Sequence, residues 1–136
     1  MKFLNQALFS RLNGATALTA LLAGTTSIYT QQAPESATYP YVVYSVQGGG
    51  DENMTQNRTK NLMVFVRGYS KASNAQAGSI DAQIDTALHL VPFTGVSGWT
   101  NIWLARETDL ETVETTPTGG LVFMNGALYR VIMDKT

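Results

Sequence analysis

The sequence predicts an α/β domain of the α+β type, built on an antiparallel-rich mixed sheet of about four to five strands with helices packed on one face. Apolar residues spaced as on one side of a helix predict an amphipathic helix near residues 73–91. Stretches rich in β-branched and aromatic residues flank it at 41–47, 60–69, 99–110 and 121–133. With short leucine-rich helices at the start of the chain, the element order is α-α-β-β-α-β-β.

The composition favours a single domain that works inside an assembly. The chain has 136 residues, of which 44% are hydrophobic, so we expect one folded domain over residues 1–136. Only 14% of the residues are charged, which leaves a surface rich in Thr, Ser, Asn, Gln and Gly. Such a surface repels other copies weakly, and this suits a protein packed into an assembly.

The charge balance and the lack of cysteine argue against several classes of protein. A formal net charge of −1 does not fit a protein that holds nucleic acid through phosphate contacts. Without cysteine the chain has no disulfide framework and no thiolate chemistry, and its single histidine argues against a zinc site. We therefore expect no metal and no cofactor.

The N-terminal part of the chain predicts two short helices rather than a signal peptide. Leu4, Leu8 and Leu12 fall at helical spacing, an Asn-Gly pair follows them, and a second helix is expected over about 16–23. Polar residues interrupt the apolar run that a signal peptide needs, and no segment approaches the ~20 apolar residues of a membrane span. We expect a soluble protein made in a cytoplasm.

A strand led by a proline begins the predicted sheet. Pro40 fixes the start of the extended stretch 41–47, after a polar connector over 25–38. Both faces of this strand are partly apolar, which implies cover on both sides or a partner subunit on one. Three glycines at 48–50 are expected to end the strand, and residues 48–59 to form a long mobile loop.

The next predicted strand carries a charge on an apolar face. Over 60–69 one face holds leucine and valine, and the other holds Met63, Phe65 and Tyr69. Arg67 interrupts this second face. We therefore expect Arg67 near a sheet edge or at an interface.

The central helix has clear boundaries, whereas the last extended region leaves two possibilities open. Ser73 and Gln76 form a capping box at the helix start, and Pro92 ends the helix. In 121–133 the dipeptide Asn125-Gly126 favours a hairpin turn, or a bulge in one long strand.

An Asp-His pair offers the nearest approach to a chemical site. Asp85 lies one helical turn before His89, the spacing of a base or of half a metal site. No nucleophile or second ligand accompanies the pair by motif, and an imidazolium is favoured near a helix C-terminus in any case. A structural role is favoured, and we expect no catalytic residues.

Aromatic residues concentrate in the predicted strands. They could stack nucleic-acid bases, but only Lys60 and Arg67 supply positive charge nearby, so core packing and subunit contact are favoured. The set is Tyr39, Tyr41, Tyr44, Phe65, Tyr69, Trp99 and Trp103.

Acidic residues recur at every second position of a later strand. Glu107, Asp109 and Glu111 are expected to share one face of an extended segment, with Glu114 just beyond. One interpretation is a solvated face, or an edge protected by charge. The other is a surface that repels polyanions, such as the wall of a channel through which DNA slides.

The order of several short motifs resembles one protein family. Ala20-Leu21-Leu22-Ala23-Gly24, Ile28-Tyr29, Ala33-Pro34 and Tyr39-Pro40-Tyr41-Val42-Val43 follow one another at characteristic spacings. This run is similar to the small tail-completion, or tail-terminator, proteins of long-tailed bacteriophages. The resemblance extends from about residue 3 to residue 133.

The resemblance implies an α/β subunit that forms a ring, expected to be a hexamer, at the end of the tail tube. Such a ring stops tube polymerisation, meets the head connector and leaves a channel for DNA. It also implies a virion component of the tail or neck, assembled in the host cytoplasm, without catalytic residues.

The family resemblance also implies where contacts with the tube and neck lie. In this family they come from loops and sheet extensions, here the loop near 48–59 and the region 111–126. The candidate channel-facing stripe is Glu107, Asp109, Glu111 and Glu114. The candidate assembly-interface residues are Gly48, Gly49, Gly50, Asp51, Glu52, Asn53, Arg58 and Lys60.

We therefore expect a structural protein whose partners are its own copies, a tail-tube protein and a head-connector protein, with DNA passing unbound and no membrane. A first alternative is a neck or head-completion adaptor that binds the portal side. A second is a small enzyme or ligand-binding domain that uses Asp85 and His89.

Overall fold

A computed structural model describes residues 2–24, 27–53, 56 and 58–136. The chain forms three helices and five strands over this part. The helices are α1 (Lys2–Gly14), α2 (Thr16–Thr19) and α3 (Asn74–Leu88), and the strands are β1 (Ile28–Thr30), β2 (Tyr41–Glu52), β3 (Thr59–Ser70), β4 (Trp99–Thr115) and β5 (Leu121–Lys135).

The five strands form one mixed sheet in the order β1-β2-β3-β5-β4. The short strand β1 lies parallel to β2, and all other neighbours are antiparallel. The α+β fold with an antiparallel-rich sheet is therefore confirmed. Because β1 and β4 lie at the two ends of the order, they are the edge strands.

The helices cover one face of the sheet and form the core with it. Leu62, Val64 and Val66 of β3 point toward the helices and are fully buried. Helix α1 contributes Leu4, Leu8 and Leu12 to the same core. Burial of one such leucine stabilises a fold by about 2 kcal/mol, so the short helices depend on this packing.

Helix α3 begins where the sequence predicts and ends earlier. The Ser73 side chain accepts a hydrogen bond from the Gln76 backbone N–H at 3.1 Å, as the capping box requires. The helix ends at Leu88, so Val91 lies outside it and is exposed. Arg11 of α1 donates to the carbonyls of Ala87 (2.9 Å) and Val91 (2.7 Å), which satisfies groups at this helix end.

Two other boundaries differ from the sequence-based expectation, and the structure decides a third point that the sequence left open. Strand β1 lies inside the stretch that was expected to be a connector. It was not predicted because three residues are too few to show a hydrophobic period. The second helix is a single turn, Thr16–Thr19. Leu121–Lys135 is one strand that pairs with β3 and β4 along its whole length, so Asn125-Gly126 forms no hairpin turn.

The glycines at 48–50 do not end β2, and this prediction was wrong. The strand continues to Glu52, and Gly48, Gly49 and Gly50 pair with Met63, Leu62 and Asn61 of β3. A register shift between Val46 and Gly48 precedes them. Gly49 has φ of 123°, and a Cβ there would overlap the β3 backbone, so this bulged pairing needs glycine.

Candidate assembly interface

The sheet face turned away from the helices is here called the open face. Its side chains alternate with the buried helix-facing ones, and most are half-buried by their neighbours on the same face. It is mainly apolar and aromatic toward the β2 start and β3 end, and polar toward the β2–β3 hairpin. Its members include Tyr29, Tyr41, Val43, Asn61, Met63, Phe65, Arg67, Tyr69, Val122, Met124, Leu128, Arg130 and Ile132.

Tyrosines form a cluster at one end of the open face. The Tyr41 ring lies 4.7 Å from that of Tyr39, 5.3 Å from Tyr69 and 5.7 Å from Tyr29, measured between centroids. Burial is the main cause that raises the pKa of Tyr41, and its hydrogen bond with Tyr39 adds to it. The rings are tilted against one another and present an aromatic patch at this end of the face.

Arg67 lies beside this cluster and is poorly satisfied. Its guanidinium stacks 4.4 Å from the Phe65 ring and 6.0 Å from that of Tyr69. The Nη2 group donates only to the Gln31 carbonyl, at 3.5 Å. The Nε atom is buried and has no hydrogen-bond partner among the residues described. Since β3 is a central strand, the expected position near an edge is wrong, and the open face remains the candidate interface.

A second arginine on the open face has all the partners that Arg67 lacks. Arg130 Nε donates to both Glu107 carboxylate oxygens, at 2.5 and 2.9 Å, and its Nη1 donates to Asn61 at 2.5 Å. Asn61 in turn donates to Glu52 at 2.8 Å. A closed polar row thus crosses all four long strands, so this end of the face needs no outside partner.

The acidic residues of β4 do not form the single stripe that their spacing predicts. A register shift between Arg106 and Thr108 places Glu107 against Arg130 on the open face. Asp109 and Glu111 lie on the helix side, where they bond Arg106 and Asn74. The alternation fails because one bulged residue exchanges the two faces.

Glu114 lies apart from the other acids. Its register places it opposite Val122 on the open face, and it lines a cavity of about 250 Å³ together with Tyr41, Arg67 and Tyr69. The four acidic residues therefore share the edge strand β4 but not one face. This arrangement fits the interpretation of an edge protected by charge.

His89 supports the edge strand through its ring. Its Nδ1 atom accepts the Arg106 backbone N–H at 3.0 Å, so this nitrogen is occupied by a structural contact. Asp85 accepts a hydrogen bond from the Tyr129 hydroxyl at 3.3 Å. Both members of the predicted Asp-His pair thus have packing partners.

Arg106 joins the edge strand to α3. It forms ion pairs with Asp81 at 2.7 Å and Asp109 at 2.6 Å. Partial burial alone would lower the pKa of Arg106, but the hydrogen bonds with these two carboxylates outweigh it and raise the pKa.

The candidate interface residues at the β2–β3 hairpin form a small ionic group. Asp51 pairs with Lys60 at 2.8 Å and with Arg58 at 3.4 Å. The hydrogen bond from Lys60 is the main cause that lowers the pKa of Asp51. Strands β2 and β3 occupy part of the stretch 48–59 that was expected to be a loop, and residues 53–58 lie between them. Of these, residues 54, 55 and 57 lie outside the described residues.

Two further observations concern the described residues as a set. They contain no group of three or more His, Asp or Glu side chains placed to hold a metal ion. None of their helices is long and apolar enough to cross a membrane.

Comparisons with known proteins were made for the whole chain. The family model described as tail completion protein gp17 matches residues 6–134. No curated protein matches the chain. A chain of the solved structure "Virion of native gene transfer agent (GTA) particle" is similar in fold, with a TM-score of 0.76 at 15% identity, covering 93% of this chain and 91% of that one.

The family match extends over nearly all elements of the fold, from α1 to the end of β5. It includes the Tyr-Pro-Tyr strand and the amphipathic helix on which the resemblance depends. The structural similarity to a virion chain is independent support for the same fold. The chain belongs to the tail completion protein gp17 family, and it is a structural component of a phage tail.

Proposed function

We propose that the protein forms a homo-oligomeric ring, a hexamer, that ends the tail tube and joins it to the head connector. The observation that carries the proposal is the open face, a large, mainly apolar sheet surface that none of the described helices covers. A monomer that works alone gains nothing from leaving such a surface to water. Packed copies would cover it in a closed ring.

The hairpin at 48–60 is proposed to contact the neighbouring tube or neck protein. Its ionic group of Asp51, Arg58 and Lys60 is exposed or half-buried and lies at the end of the sheet. Exposed charges of this kind steer association and set its orientation more than its affinity.

The acidic edge of β4 is proposed to face the central channel. Asp109 and Glu111 lie on the same side of the strand, and the Asp109 side chain is 82% exposed. Negative charge there would keep DNA moving past the ring instead of binding it. Asp109 shares Arg106 with Asp81 and Asp85, so net negative charge remains there. Glu107 is excluded from this role because it is half-buried in a one-to-one ion pair with Arg130.

The proposal is tested with the purified full-length chain. Native mass spectrometry and negative-stain images over a concentration series are expected to show a ring. Pull-down with tail-tube subunits and, separately, with connector subunits identifies what the ring joins. A monomer at high concentration would contradict the ring, and binding to connector subunits alone would favour a neck adaptor.

The channel is tested in the virion. Asp109→Lys together with Glu111→Lys is expected to leave ring formation intact and slow genome ejection. Lys2→Glu and Phe9→Ala, away from the edge, serve as surface controls. Normal ejection by the double variant would contradict a DNA-facing edge.

A further inference from the structure

We propose that Arg67 is the anchor of the subunit interface and that it receives a carboxylate from a second copy of this chain. The inference rests on the proposed ring and goes beyond it by naming the surface, the residue and the chemistry of the contact. The candidate residues at the hairpin play no part in it, and of the β4 candidates only Glu114 lies beside Arg67, in the same cavity.

The first step concerns the hydrogen bonds of Arg67. A guanidinium has five N–H donors in a planar fork, and that fork matches a carboxylate. Among the described residues, Arg67 has one hydrogen bond, to the Gln31 carbonyl at 3.5 Å, beside its contacts with the Phe65 and Tyr69 rings, and its Nε is shielded from water without a partner. A buried donor left unpaired is unfavourable, so a partner that supplies an acceptor is strongly preferred.

The second step compares the two arginines of the open face. The Arg130 guanidinium donates hydrogen bonds to Glu107 and Asn61 of the same subunit. Among the described residues Arg67 forms no ion pair, although Glu114 lines the same cavity, and aromatic rings hold it in place, with Phe65 at 4.4 Å. Stacking fixes the guanidinium plane and leaves its edge free for an ion pair.

The third step concerns the size of the surface. The four long strands have twelve residues or more each. With strands ~4.8 Å apart and ~3.3 Å per residue, they present about 700 Å² on the open face. A stable interface buries about 800 Å² on each partner, so this face has the size that a subunit contact needs. Aromatic residues and arginine, as found together at one end of this face, are typical of interface hot spots.

The fourth step identifies the occupant as a second copy. Exposed Glu35 makes no ion pair or hydrogen bond among the described residues, and it lies on the connector after β1 with Tyr39 and Lys71. The chain thus carries an incompletely paired cation on the open face and an unpaired acid on the connector, and Tyr39 borders both sites. A head-to-tail contact between different surfaces of identical subunits is the kind that closes into a ring.

The test compares variants of Arg67 in the full-length chain. Arg67→Met keeps the length and apolar packing of the side chain, and Arg67→Glu reverses its charge. Lys2→Glu changes the net charge equally at an exposed site on α1 and serves as control. We expect both Arg67 variants to weaken self-association at least tenfold, as measured by sedimentation, and to keep the circular dichroism spectrum of the wild type. Lys2→Glu is expected to self-associate like the wild type.

A rescue experiment makes the test specific. Arg67→Glu combined with Glu35→Arg is expected to restore the ring, because each copy would again meet an opposite charge. Rings that form normally with Arg67→Met would overturn the inference. Rings that form normally but fail to bind tail-tube subunits would also overturn it, since the occupant is then another protein. A monomeric wild type would instead contradict the proposed ring itself.

Discussion

At the scale of single residues, Tyr129 shows how the polar groups beneath α3 hold the fold. The ring is fully buried in the core. Its hydroxyl donates to Asp85 at 3.3 Å and accepts from Arg106 at 3.4 Å. Burial is the main cause that raises the pKa of Tyr129 above its ordinary value of 10.0. One side chain therefore links β5, β4 and α3.

We predict that Tyr129→Phe destabilises the protein by about 1 kcal/mol at pH 7, because it removes these hydrogen bonds. The difference from wild type is expected to narrow as pH rises above 10. The folded pKa lies above the unfolded one, so the unfolded wild-type chain loses its proton first and wild-type stability falls with pH. Phenylalanine cannot ionise.

Urea unfolding of both proteins at neutral pH and through the alkaline range measures this difference. Burial also raises the pKa values of Tyr44 and Tyr69, but both proteins share these residues, so their effect cancels in the comparison. A difference that stays constant from pH 7 upward would contradict the assigned role.

At the scale of elements, α3 and β3 approach so closely that one residue decides their contact. A Cβ on Gly68 would lie 2.5 Å from Ile80 Cγ2 and 3.1 Å from Ile80 Cβ. Ile80 is fully buried, so it has no free space to move into. The glycine is required here by packing rather than by backbone conformation.

We predict that Gly68→Ala lowers the free energy of unfolding by about 1–3 kcal/mol, because the added methyl group overpacks the helix–sheet contact. Gly78→Ala is the matched control on α3. No atom lies within 4 Å of its added Cβ, and alanine is expected to stabilise the helix by about 0.5–1 kcal/mol. Thermal and urea unfolding measure both changes. A Gly68→Ala variant as stable as the wild type would contradict the close packing of Gly68 against Ile80.

The elements differ in how far the sequence specifies them. Helix α3 was predictable because its cap, Ser73 with Gln76, and its apolar stripe are local features. Strand β1 was not, because Ile28–Thr30 forms a strand only through parallel pairing with residues 42–44, a contact distant in sequence. The glycines at 48–50 are turn-forming by composition, and the β3 strand beside them imposes pairing instead.

The candidate site shows the same division. Arg67 stood out in the sequence because a charge interrupts an apolar face. Its missing hydrogen-bond partner depends on the positions of Phe65 and Gln31, which no periodicity reveals. The acidic stripe failed because the bulge at Glu107 has no sequence signal and reverses the facing of residues 103–106 relative to residues 108–115.

At the scale of the whole molecule, the helices cover one face of the sheet, and the described helices leave the other face uncovered. The helix side is closed by α1 and α3 around a leucine- and valine-rich core. The open side has a self-satisfied polar row at one end and, at the other, aromatic rings with an unsatisfied arginine. In the proposed ring, a subunit built this way would gain stability from its neighbours.

We predict from this asymmetry that the melting temperature rises with protein concentration. Only folded chains assemble, so self-association stabilises the folded state. Each tenfold rise in protein concentration above the dissociation constant adds about 1.4 kcal/mol to the free energy of unfolding, which raises the melting temperature by roughly 4 °C for a chain of this size. Differential scanning calorimetry over a hundredfold concentration range measures the slope. Arg67→Glu is expected to lose most of it, and Lys2→Glu to keep it. A melting temperature independent of concentration in the wild type would contradict self-assembly, whereas an unchanged slope in Arg67→Glu would contradict only the role of Arg67.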